Sequence, residues 1–174
     1  FQVYCDFSGY TDIAIGAAET LGYKLSPNFN RPYFAISIQD FWKRWHISLS
    51  NWLTDYVYTP LTKSKVKIKW FYWMLCSLFI TFVISGVWHG AAWTFVLWGA
   101  LHGAYLVLAI ATQKQWRKVH ERLGLLKRPR LHIRLKIAAT FSLVCLAYVF
   151  FRANTTADAF YILTHLHTGW TQPF

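Results

Sequence analysis

A chain of 174 residues that is 55% hydrophobic and 20% aromatic, with ten tryptophans, is too apolar for an ordinary soluble domain. Its net charge of +11 is clustered between apolar runs, as in loops on the inner face of a membrane. That clustering and the lack of a recognition motif argue against nucleic-acid binding, which needs a basic face on a soluble fold. The composition predicts an all-α polytopic membrane protein, with about three to four transmembrane helices plus an amphipathic or re-entrant interfacial helix.

Residues 1–21 read as a moderately apolar helix carrying Asp6, Asp12 and Glu19. Acids in a crossing helix must turn toward protein or a cavity. Asp6 and Asp12 lie six apart and do not share a helix face, so a carboxylate pair for acid–base work is not supported; both are read as hydrogen-bonding neighbouring segments. Gly9 and Gly16 would permit close helix approach. Residues 22–33 form a loop punctuated by Ser26-Pro27-Asn28 and Arg31-Pro32.

Ser37 fits a helix N-cap with Asp40 as its capping-box partner. From there to Tyr58, Phe41, Trp45, Leu49, Trp52 and Tyr56 recur at three- and four-residue steps, which predicts a helix that Pro60 ends. Lys43, Arg44, Asn51 and Asp55 make it a surface-lying or re-entrant helix. His46 shares its face with Trp42, Ser50 and Leu53. It is either an interfacial anchor or a polar group on a reaction path.

Lys63, Lys65, Lys67 and Lys69 precede two apolar runs, 70–87 and 91–111, each about the roughly 20 residues a crossing helix needs. Between them stands Ser85-Gly86-Val87-Trp88-His89-Gly90-Ala91-Ala92-Trp93. A histidine at such a bend must face protein or a water-filled cavity, and it can exchange a proton near neutral pH. It is a candidate for chemistry, or a core histidine satisfied by a backbone carbonyl. Ser85, four residues earlier, shares a helix face with His89, but no third group orients a serine nucleophile. His102, flanked by Gly99 and Gly103, reads as a structural hydrogen-bonder.

Residues 113–136 form a second basic loop, with His120 and His132 solvated, and 133–151 are the last crossing, with Arg134 and Lys136 snorkelling. The positive-inside rule puts both basic loops in the cytoplasm, turns His89 toward the opposite side and sends 153–174 outward, where His165 and His167 have no assigned partner. Cys5, Cys76 and Cys145 read as buried, inert packing residues, and no spacing suggests a metal site. The start without an initiator Met is read as part of a larger membrane protein.

Several stretches together resemble the membrane-bound O-acyltransferase family, and its alginate O-acetyltransferase-like bacterial branch in particular. They are Asp6-Phe7-Ser8-Gly9-Tyr10-Thr11-Asp12, Asn28-Phe29-Asn30-Arg31-Pro32-Tyr33, the run from Asp40-Phe41-Trp42 through Trp45-His46-Ile47 to Asn51-Trp52-Leu53, and Ser85-Gly86-Val87-Trp88-His89-Gly90. The teichoic acid D-alanyl transfer protein is a near relative. The resemblance implies that residues 1–174 are the C-terminal part of a single membrane domain whose N-terminal helices lie outside the chain. It implies that His89 and His46 match the family's catalytic and second functional histidines, placed along one path without needing to touch. Trp88, Trp93, Trp42, Ser85 and His102 are the expected substrate-path residues. The implied reaction passes an acyl group, acetyl above all, from a cytoplasmic thioester (acetyl-coenzyme A or an acyl carrier protein) to polysaccharide hydroxyls outside. No bound cofactor or metal is expected. The implied partners are the lipid bilayer, the polysaccharide and a periplasmic acetyltransferase, without nucleic acid, and the implied site is the bacterial inner membrane. A transporter working through Asp6 and Asp12, or a structural subunit recruiting a separate enzyme, are the competing classes.

Overall fold

The computed structural model describes residues 1–168, and among them every regular element is helical. The tail 169–174, the end of the segment expected to emerge on the outer side, lies outside the described residues. Among the described residues three helices are long and apolar enough to cross a membrane: α5 (Trp70–His89), α6 (Trp93–Ala111) and α8 (Pro129–Arg152). The first helix, α1 (Gln2–Thr20), keeps its acids on the outside: Asp6 and Asp12 are exposed and make no hydrogen bond among the described residues, contrary to the expected tethering role. Gly9 and Gly16 face open space, with no neighbouring helix against them.

α5 and α6 form an antiparallel hairpin joined by Gly90-Ala91-Ala92. Glycines let the two backbones touch. A Cβ added to Gly86 would stand 2.3 Å from the Phe95 carbonyl oxygen, and one added to Gly99 would stand 2.3 Å from that of Phe82. Such contact is the usual source of helix association where lipid removes the hydrophobic drive. α8 packs on α6, and α9 (Thr156–Thr164) packs on both, its start fixed by the reciprocal Thr155–Asp158 capping box.

The predicted long helix from Ser37 is broken. α2 (Ile38–Trp42) starts on the Ser37 cap, whose Oγ accepts from the Asp40 N–H at 3.0 Å. Asp40 reaches back one residue further than a capping box requires, accepting from Ile36 N–H at 3.0 Å. The chain turns at 43–46, then continues as α3 (Ile47–Leu53), a π-helical turn (Thr54–Tyr58) and α4 (Thr59–Lys63). Pro60 does not end the helix; it directly follows the π-helical turn, whose last bond runs from Thr59 N–H to the Thr54 carbonyl, and the chain stays helical on through α4. The first part of this segment also does not lie along the surface. Ile38, Phe41 and Trp45 are buried against Leu106 of α6 and Val144 of α8, well inside both helices. The re-entrant alternative describes it better.

The second basic stretch is helical rather than a loop: α7 (Gln113–Arg122) and a short 3-10 turn (Leu125–Lys127) lead into α8. His120 and His132 are not simply solvated, because their rings meet edge to face with centroids 4.7 Å apart. His165 finds a partner in Tyr161, stacked at 4.1 Å. The three cysteines are free and exposed, not buried, on α1, α5 and α8.

Candidate active site

His46 is held by backbone pairing that a helical periodicity cannot reveal. Residues 28–30 run antiparallel to 44–47: Asn30 N–H donates to the Arg44 carbonyl at 2.9 Å, and Ile47 N–H donates to the Asn28 carbonyl at 3.1 Å. The Asn28 Oδ1 then accepts from Ser48 N–H at 3.1 Å and from Ser48 Oγ at 2.7 Å, serving the first turn of α3. Between these ties His46 adopts φ 46° and ψ 53°, a left-handed conformation that L-residues other than Gly rarely take. Strain of this kind persists only where neighbours over-determine it, and it concentrates at functional sites. Arg44 closes the corner, its Nε donating to Asp40 Oδ1 at 2.9 Å. Burial alone would raise the Asp40 carboxyl, but the Arg44 bond and the Ile36 N–H outweigh it and hold it low.

The His46 ring lies edge to face with Phe7 at 4.6 Å and faces Trp88 at 6.3 Å. Burial, reinforced by the nearby His89, pushes its pKa down to about 4, so the ring is neutral at physiological pH. Its Nδ1 is buried with no hydrogen-bond partner among the described residues.

His89 is the last residue of α5. Aromatic rings from three elements enclose it: Trp88 at 4.9 Å, Trp98 of α6 at 4.9 Å and Phe151 of α8 at 5.1 Å. Gly90 leaves space for the Phe95 ring, which a Cβ there would meet at 2.8 Å. No hydrogen bond joins Ser85 to His89 among the described residues, so the serine–histidine pair is not formed.

The two histidines therefore share one end of the bundle, the Trp88 ring lying 6.3 Å from His46 and 4.9 Å from His89. His102 lies deeper and is fully buried, its Nδ1 accepting from Trp42 Nε1–H at 3.3 Å. That bond assigns the ring proton to Nε2. The bond ties α2 to α6, and His102, expected both as a structural hydrogen-bonder and as a substrate-path residue, does not line the cavity beside it. Trp98 was not singled out from sequence. It is 2% exposed and sits between the two imidazoles, 4.9 Å from His89 and 5.1 Å from His102. Its four-residue step to His102 was the available signal.

A mainly apolar cavity of about 500 Å³ opens between the α2–α4 segment and α5. Met74, Leu78, Phe82 and Ser85 mark its course along α5, and Trp42, Ser50 and Tyr58 mark the opposite wall. Along α5 it runs from Met74, about one turn inside the lysine-rich end, to Ser85, one helical turn short of His89. Of the expected path residues, Trp42 and Ser85 line it. Trp88, 57% exposed, stands at the rim between the histidines, and Trp93, 74% exposed, points away.

Residues 1–152 match the sequence model of the membrane-bound O-acyltransferase family. The chain is 45% identical over 163 residues to the peptidoglycan O-acetyltransferase of Helicobacter pylori, covering 94% of this chain and 29% of that protein. It is 42% identical to the probable alginate O-acetylase of Pseudomonas aeruginosa, covering 88% of this chain and 27% of that one. Identity to the teichoic acid D-alanyltransferase of Bacillus subtilis is 35%, covering 86% and 38%. The chain thus spans between a quarter and two fifths of the length of these relatives.

Proposed function

The chain belongs to the membrane-bound O-acyltransferase family, and on that premise we propose that it carries the reaction centre of a membrane O-acyltransferase. The proposed reaction moves an acyl group, acetyl by preference, from a thioester to a hydroxyl of a cell-surface polysaccharide, either directly or through a periplasmic partner. Higher identity to two acetyl-transferring relatives than to the D-alanyl one favours acetyl. The observation that carries the reading is the cavity between the lysine-rich end and Ser85, one turn from an imidazole enclosed by aromatic rings.

In this reading the thioester, from coenzyme A or a carrier protein, enters along α5 from the inner face of the bacterial inner membrane. His89 takes the proton of the acceptor hydroxyl as its oxygen attacks the acyl carbon. The C=O electron pair moves onto oxygen, then returns as the C–S bond breaks, and His89 gives the proton to the departing thiolate. A positioned base of this kind contributes about 10²–10⁴-fold. His46, neutral and across Trp88, orients the donor. The aromatic walls exclude water, which would hydrolyse the thioester.

The test supplies a labelled acetyl thioester to membranes containing the whole protein. Label is expected on polysaccharide, and is lost when His89→Ala protein is present at equal abundance. Transfer retained by that variant overturns the assignment. Solute flux without any acyl donor would instead favour a transporter.

A further inference from the structure

α7 joins two spans, α6 and α8, so it lies at the membrane edge by its place in the chain. Its side chains divide sharply. Trp116, Val119 and Leu123 recur at steps of three and four and are 55%, 39% and 67% exposed. Lys114, Arg117, Lys118 and Arg122 occupy the opposite side, all exposed. The rotation of the helix is fixed: His120, beside the apolar stripe, packs on His132 of α8 with ring centroids 4.7 Å apart. This contact holds the apolar stripe open instead of folding it under the protein. The only acid on the helix, Glu121, is engaged by Arg117 at 3.7 Å, leaving the other cations uncompensated.

We propose that α7 is an interfacial anchor that lies in the plane of the bilayer and recruits anionic phospholipid. Trp116, Val119 and Leu123 would enter the boundary between headgroups and acyl chains, where an indole is at home. The four cations would meet lipid phosphates. An apolar stripe backed by basic residues, fixed next to two membrane spans, matches a lipid surface in both chemistry and place. The inference is independent of the acyl-transfer reading, because it uses no residue of the candidate site and its test measures no turnover.

The experiment compares amide hydrogen exchange of the full chain in phosphatidylcholine vesicles with that in vesicles containing added phosphatidylglycerol. The amides of 116–122 are expected to exchange about tenfold more slowly in the anionic vesicles. Amides of α5 should be equal in both, and high salt should cancel the difference. Replacing both Arg117→Glu and Lys118→Glu should remove the lipid dependence while α5 keeps its protection. Equal exchange of 116–122 by the unaltered chain in the two vesicle types overturns the proposal. So does slowing that appears only when an acidic carrier protein is added.

Discussion

The corner that presents His46 and the hairpin that presents His89 meet at one Trp88 ring, yet they are built by different physics. The hairpin is regular helix, and its precision comes from glycine backbones pressed together at Gly86 and Gly99. The corner is irregular, and its precision comes from hydrogen bonds between residues 28–30 and 44–48 that hold a left-handed histidine. A site assembled this way has two separable supports. Damage to one should leave the other standing.

The largest effect falls on chemistry alone. His89→Ala should cost about 10²–10⁴-fold in transfer rate while leaving both supports folded, read as rate per molecule of inserted protein. Gly99→Val comes next. Its side chain would collide with the Phe82 carbonyl, prise α6 from α5 and cost about 1–3 kcal/mol. Thermal unfolding should register the loss, with hydrogen exchange rising along the hairpin and not at 28–30.

Acid should act on the corner. Unfolded, the His46 imidazole takes its proton near 6.5; folded, it resists until about 4. Between those values the unfolded chain binds more protons, so stability falls as pH falls through this window. Unfolding temperature measured from neutral pH to pH 4 should decline over that interval, and His46→Gln should lessen the decline. Trp42→Phe leaves the fully buried His102 Nδ1 without its donor and should lower stability by about 1–3 kcal/mol. Asn28→Ala, which strips the acceptor from Ser48, should cost about 1 kcal/mol, as other lost caps do. It should loosen exchange at 44–50 and spare α5. Equal loosening of corner and hairpin by Gly99→Val and Asn28→Ala would dissolve the distinction between them.

The hairpin was legible in the sequence, and the corner was not. Apolar length placed α5, α6 and α8, and the bend between two runs brought His89 forward. The same reasoning carried a helix from Ser37 straight through His46, because Phe41, Trp45 and Leu49 keep their period on both sides of the break. What interrupts them is a tertiary contact from Asn28, twenty residues upstream of Ser48. Periodicity within one segment holds no information about that contact. Pro60 and the three cysteines depart from the sequence expectation for a related reason. A proline's effect depends on the hydrogen-bond pattern of the turn it follows, here a π turn, and burial of a thiol depends on what surrounds the helix. Trp98 does not stand out in the sequence because one tryptophan among ten carries little weight until its neighbours are known.

The bend joining α5 to α6 spans only three residues, Gly90, Ala91 and Ala92, and none carries a charge. A connection so short leaves no hydrophilic domain to be translocated between the two crossings. During biosynthesis the pair can therefore enter the bilayer as a single folded wedge, with His89 at its leading tip. The residue offered as the base would then be delivered to the far side by the act of insertion itself.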